Sequence, residues 1–164
     1  MSGRLSLAFL GCGFITSVHS RHLRRCRDVI VPSYASRDEL KAKSFAARYG
    51  GRQSYHGYQG ALADPAIDAV VIAVPPKFHL DLTLEALNAG KHVLVEKPAF
   101  VTPRDYETVQ AARARTNRVV LVGENDHYKP LAVCLRRLLR GGAIGEMVFA
   151  NFTTLVKRLK EVND

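Results

Sequence analysis

The sequence has no apolar run approaching the ~18 residues that a bilayer-spanning helix requires. Its longest run, Ala69 to Val74, is only strand-sized, so a membrane span is excluded and no membrane partner is expected. Cysteine is scarce. Cys12, Cys26 and Cys134 are odd in number, widely spaced and outside any C-x-x-C arrangement, which argues against a disulfide framework or a zinc site and fits a reducing cytoplasm. Internal repeats and low-complexity tracts are absent too. Acidic residues are outnumbered, with Lys+Arg 24 against Asp+Glu 15 and a formal net charge of +9. The basic excess is spread along predicted helices (Arg21, Arg24, Arg25, Arg27; Arg113, Arg115, Arg118; Arg136, Arg137, Arg140) without interleaved exposed aromatics. It reads as solvated helix faces, partly able to attract an anionic cofactor, and no nucleic-acid partner is expected.

At 164 residues and 47% hydrophobic content, the chain can bury one sizeable core. Leu5 to Cys12 superficially resembles a short secretory apolar region flanked by Arg4, but the same residues form a strand and glycine turn. Arg24 and Arg25 lie too far in for a twin-arginine signal.

Apolar runs and helical stripes then alternate. Leu5 to Leu10 reads as a buried parallel strand, followed by a helix whose apolar face is Ile15, Val18, Leu23 and Cys26. Ile30 to Ala35 is the second strand, and Asp38 to Tyr49 a helix closed by Gly50 and Gly51. Gln53 to Tyr55 is a weak third strand and Gly57 to Ala63 a short helix. The fourth strand, Ala69 to Val74, is β-branched and continuous, and Pro75 and Pro76 stop it. Leu80, Leu84 and Leu87 form a helical stripe, His92 to Glu96 a fifth strand, Pro103 to Thr116 a helix, Val119 to Gly123 a sixth strand and Leu131 to Arg140 a helix. Right-handed βαβ units of this kind predict an α/β fold, a doubly wound parallel Rossmann sheet in the order 3-2-1-4-5-6. Glu146 to Val156 is a strand candidate with nothing left to pair with, so the chain is expected to stop just after entering a second domain. The expected division is 1–123 for the dinucleotide-binding domain and 124–164 for the connecting helix and first strand of the second.

Gly11-Cys12-Gly13-Phe14-Ile15-Thr16 lies between strand and helix, the context in which a G-x-G pattern suggests a pyrophosphate at a helix N-terminus. Gly11 permits the tight turn, and Gly13 lets the backbone approach the phosphates. Thr16 stands where Gly or Ala is usual, which widens the helix-strand packing. About 20 residues further, a carboxylate would hold the ribose 2′-hydroxyl of NAD. Ser36 and Arg37 occupy that place and suit a 2′-phosphate, so NADP is favoured, with NAD as the alternative. Asp38 reads either as a ribose ligand or as the cap of the next helix. His19 and His22 have metal-ligand spacing but no third ligand, so no metal is expected. Glu124 to Pro130 follows the sixth strand at a carboxyl-end position, where His127 and Tyr128 read either as substrate contacts or as a polar loop over a packed ring.

Gly11-Cys12-Gly13, Ala35-Ser36-Arg37-Asp38, Val74-Pro75-Pro76 with His79, and above all Val95-Glu96-Lys97-Pro98 resemble the Gfo/Idh/MocA family of glucose-fructose oxidoreductase and inositol dehydrogenase. The resemblance runs through Ile144-Gly145-Glu146, where members of the family enter a C-terminal α/β substrate domain, and it implies that this domain is truncated here. It implies an NAD(P)-dependent oxidoreductase passing hydride between nicotinamide and a sugar or polyol hydroxyl or ketone, this chain supplying the cofactor half. It also implies that Lys97 is catalytic, lying near the nicotinamide ribose and holding a substrate oxygen so as to favour the alkoxide. Glu96 would orient the ribose or Lys97, and Pro98 would fix the turn, often through a cis peptide. Gly11, Gly13, Phe14, Ile15, Ser36, Arg37, Pro75, His79, Glu96 and Lys97 are the expected cofactor contacts, although His79 also reads as a helix-start residue without chemical duty. In such proteins the proton-transfer residues belong to the substrate domain, so the isolated chain is expected to be inactive. A full-length protein is expected to be a cytoplasmic homo-oligomer. The alternative is a non-catalytic dinucleotide-binding module that senses NADP or joins a partner through its unpaired final strand.

Overall fold

The computed structural model describes residues 3–153. Two compact units make up the chain, Met1–Glu124 and Asn125–Asp164. In the first, strands β1 (Leu5–Leu10), β2 (Ile30–Ser36), β3 (Ser54–His56), β4 (Ala69–Ile72), β5 (His92–Val95) and β6 (Val120–Val122) alternate with helices α1 (Phe14–Leu23), α2 (Glu39–Tyr49), α3 (Gln59–Ala63), α4 (His79–Asn88) and α5 (Pro103–Thr116). The strands form one sheet in the order β3-β2-β1-β4-β5-β6, every pair parallel, as the alternation predicts. β1 and β4 pair from Leu7 with Ala69 to Leu10 with Ile72, so the order of the strands reverses beside β1. Ligands of open α/β sheets bind at that crevice, outside the carboxyl ends of the strands.

Successive side chains on a strand point to opposite faces, and the core divides accordingly. Ala8, Leu10, Val70, Ile72, Val93 and Val95 meet Leu82, Ala86 and Leu87 of α4 and Val109 and Ala112 of α5 on one face. Leu7, Phe9, Tyr34 and Val71 meet Tyr49 of α2 and Leu23 of α1 on the other. All four β4 residues are buried, which is why that strand reads as an unbroken β-branched run.

Helix ends follow their local chemistry. The Asp38 carboxylate accepts the Lys41 N–H at 3.1 Å and caps α2, and Gly50 closes that helix at φ 72°. At α5, Thr102 and Asp105 form a reciprocal capping box, with Pro103 in the first turn.

The packing face of α1 differs from the expected one. Its fully buried residues are Thr16 and Ser20, while Ile15, Val18 and Leu23 are only half-buried and Cys26 lies beyond it in a 3-10 turn. Tyr34 is the reason: its large ring lies under the helix, its hydroxyl donates to Ser20 Oγ at 3.0 Å, and Ser20 donates to the Thr16 carbonyl at 2.7 Å. Small hydroxyl residues admit the ring and satisfy its polar tip, which larger apolar residues would not.

The second unit has a 3-10 turn over Asn125–Tyr128 and helix α6 (Pro130–Arg140). The strand expected over Glu146 to Val156 does not form in residues 146–153, and residues 154–156 lie outside those described. A lone strand without a hydrogen-bonding neighbour has nothing to hold it extended. Among the described residues, no helix is long and apolar enough to cross a membrane.

Candidate dinucleotide site

After β1 the chain turns sharply at Gly11, whose φ of 108° suits glycine. A Cβ there would meet the Ala73 carbonyl oxygen at 2.4 Å, so the close approach of the turn to the end of β4 requires a hydrogen at that position. Gly13 is different: it is the N-cap of α1, with nothing within 4 Å of where its Cβ would stand and no side-chain cap. The first N–H groups of the helix are thereby presented beside open space. Thr16 does more than widen the packing. It is fully buried, and its hydroxyl donates to the Gly11 carbonyl at 2.7 Å, tying the turn to the helix it starts. Phe14 is exposed and Ile15 half-buried at the same N-terminus.

A groove of about 240 Å³ runs from this turn to the end of β2, lined among others by Gly11, Gly13, Ser36, Arg37, Lys41 and Pro75. Ser36 is nearly buried, and its Oγ accepts the Asp38 N–H at 3.1 Å. Arg37 is exposed, with its guanidinium 5.7 Å from the centroid of the Phe78 ring, a cation-π arrangement. Asp38 caps α2 through Oδ1, and it also lines the groove. Lys41 also lines the groove, a cation that the motif reading missed because it sits in the first turn of α2 rather than beside the glycines or Ser36. Burial pushes the Cys12 thiol up to about 11, with Asp38 adding to the effect and Lys41 opposing it, so Cys12 is no nucleophile at neutral pH.

Across the crevice, β5 ends in the Glu96-Lys97-Pro98 turn, with a cis peptide between Lys97 and Pro98. The Glu96 carboxylate is mostly buried. Its Oε1 lies 2.6 Å from His19 Nε2, and its Oε2 accepts the Lys97 N–H at 3.3 Å. The Lys97 ammonium is half-exposed, 3.6 Å from Glu124 Oε1. His19, which had only a weak metal reading, is thus occupied by a carboxylate 77 residues away. Pro75 starts the 3-10 turn Pro76–Phe78 and lines the groove. His79 does not open onto the groove. It is the first residue of α4 and only 1% exposed, and both ring nitrogens face backbone carbonyls. In the second unit, the Arg136 guanidinium donates to the His127 carbonyl, and the His127 and Tyr128 rings meet edge-to-face at 5.0 Å, with Tyr128 largely exposed.

Residues 5–124 match the profile of the oxidoreductase family with an NAD-binding Rossmann fold, GFO_IDH_MocA. The chain belongs to the Gfo/Idh/MocA family. Among curated relatives, dTDP-3,4-didehydro-2,6-dideoxy-alpha-D-glucose 3-reductase of Saccharopolyspora spinosa is 41% identical over 120 residues, covering 71% of this chain and 35% of the reductase. Among solved structures, levoglucosan dehydrogenase in complex with NADH superposes with a TM-score of 0.81 at 27% identity, covering 87% of this chain and 40% of that one. A 3-ketoreductase from Actinomadura kijaniata in complex with TDP-benzene and NADP gives a TM-score of 0.79 at 27% identity, covering 88% and 46%. This Gfo/Idh/MocA chain therefore spans less than half the length of each of these proteins.

Proposed function

We propose that residues 1–123 are the cofactor domain of an NADP-dependent oxidoreductase that acts on a sugar or polyol hydroxyl, or on the corresponding ketone, and that residues 124–164 lead into its substrate domain. The observation that carries the NADP reading is that Ser36, Arg37 and Lys41 line the groove together, while one oxygen of Asp38 is engaged in capping α2. A 2′-phosphate gains charge-assisted hydrogen bonds from such a set, whereas the 2′-hydroxyl of NAD asks for a free carboxylate.

The residues present fit a dinucleotide. Gly13 leaves room for a phosphate at the uncapped N-terminus of α1, where the N–H groups of Phe14 and Ile15 meet it. Arg37 and Pro75 flank the adenosine end. When bound, the nicotinamide supplies the acceptor or donor of hydride. Lys97 would then hold the substrate oxygen through its ammonium, stabilising negative charge on that oxygen as the C–H bond breaks. Glu96 orients Lys97 by accepting its backbone N–H. His127 and Tyr128 are the substrate contacts proposed from the second unit. The relatives support the substrate class: the Saccharopolyspora reductase is named for a deoxyglucose, and levoglucosan dehydrogenase for a sugar.

Titration with NADPH and NADH, followed by nicotinamide fluorescence, tests this reading. NADPH should bind the more tightly. An Arg37→Ala change should weaken NADPH by about tenfold, the low end of a charge-assisted hydrogen bond because Arg37 is exposed, and leave NADH nearly unaffected. Tighter NADH binding, or equal loss for both dinucleotides, overturns the NADP reading.

A further inference from the structure

Two histidines that do not line the groove converge on one turn. His19 comes from α1, on the sheet face that carries Phe9 and Tyr34, and its Nε2 lies 2.6 Å from Glu96 Oε1. His79 comes from α4, on the opposite face, and its Nδ1 lies 3.1 Å from the Pro98 carbonyl oxygen and 3.0 Å from that of Ala99. The other nitrogen of His79, Nε2, reaches the Val74 carbonyl oxygen at 2.8 Å. The ring therefore lies between the loops that follow β4 and β5, and with its one N–H on Nδ1 it donates to the loop after β5.

Side chains supply the order that the turn's own backbone lacks. Pro98 has no N–H to give, and the Lys97 N–H goes to the side chain of its neighbour Glu96. Glu96 in turn is fixed by His19, and the two carbonyls after Lys97 are fixed by His79. We propose that His19 and His79 are positioning residues, a two-sided clamp that holds Lys97 at the nicotinamide end of the groove. The inference rests on the reading that Lys97 faces the nicotinamide. It adds a coupling: His19 belongs to the helix whose N-terminus would receive the pyrophosphate, so dinucleotide seating and lysine placement share one rigid element. Placement of this kind matters steeply, because a misplacement of about 1 Å can cost about a hundredfold in rate.

The test is acylation of the full chain with a lysine-selective reagent, read at Lys97 by peptide mass spectrometry, with and without saturating NADP. In the wild type, NADP should slow Lys97 labelling by about tenfold, the extent expected of a held and shielded amine. His19→Ala should keep NADP affinity within about threefold and yet lose most of that protection, and His19→Gln, which restores a donor to Glu96, should recover it. Because His79→Ala empties a buried site, His79→Asn is the second variant; its amide stands in for the Nδ1–H toward the Pro98 and Ala99 carbonyls and leaves the Val74 side empty, so it should give intermediate protection. Full protection in His19→Ala overturns the clamp. So does loss of protection that merely parallels a fall in NADP affinity. Absence of protection in the wild type, with NADP bound, overturns the placement of Lys97 itself and is thereby distinguished from failure of the clamp alone.

Discussion

The two sides of the crevice are built by different means. On the β1 and β2 side the glycine turn is held by backbone bonding and by a hydroxyl of the helix it starts: the Gly11 N–H donates to the Ala35 carbonyl at 2.9 Å, and Thr16 donates to Gly11. On the β5 side the Glu96 to Ala99 segment is held by side chains from α1 and α4 that lie 77 and 20 residues away. The first is a steric solution, in which shape decides what fits. The second is a chemical one, in which donors and acceptors hold the segment on either side of Lys97. Substitutions should therefore damage the two sides differently, the first through folding and the second through function with the fold intact.

The sharpest break on the steric side is Gly11→Ala. The new Cβ would stand 2.4 Å from the Ala73 carbonyl oxygen, a backbone atom that cannot swing aside, at a φ of 108°. Overpacking and backbone strain together should cost about 3 kcal/mol or more, seen as a large drop in melting temperature or as failure to fold. Gly13→Ala is the control within the same motif. Nothing lies within 4 Å of its Cβ, so stability should change by less than about 1 kcal/mol while NADPH affinity falls as the methyl group meets the phosphates. Equal stability of the two variants would remove the close-approach argument for Gly11.

Thr16→Val comes next in size. The shape is nearly kept but the 2.7 Å bond to the Gly11 carbonyl is lost in a fully buried place, which should cost about 1–3 kcal/mol in denaturant unfolding. Thr16→Ser should recover part of this. An unchanged midpoint for Thr16→Val would show that the hydroxyl contributes nothing to the turn and that the first side is steric alone.

The same contrast explains what could be read from the sequence. The apolar runs at Leu5, Ala69 and His92 disclose the sheet, because strands buried on both faces are nearly continuously apolar. Ser36 and Arg37 are legible because the distance from glycine turn to second strand end is set by one βαβ unit. The α1 face was hidden because its buried residues, Thr16 and Ser20, are polar, and an apolar stripe is the only periodic signal a helix offers. His19 was hidden for another reason: spacing shows its neighbour His22 but not a carboxylate brought near by the sheet. His79 illustrates both, since a histidine after two prolines reads as a groove residue until its carbonyl partners are in view.

The smallest effect, and the most direct probe of the chemical side, is Gly123→Ala. A Cβ at Gly123 would lie 3.1 Å from Glu96 Oε1, the oxygen that His19 holds at 2.6 Å. A free carboxylate at the end of a flexible side chain would move by a few tenths of an ångström and nothing would follow. If the carboxylate is pinned, the methyl group must displace it against His19, and Lys97 labelling under NADP should rise by about threefold with stability nearly unchanged. The decisive measurement is the double variant. With His19 already changed to Ala, Glu96 can yield, so Gly123→Ala should have no further effect on Lys97; two independent, additive effects would mean that Glu96 does not transmit the position of His19 to Lys97.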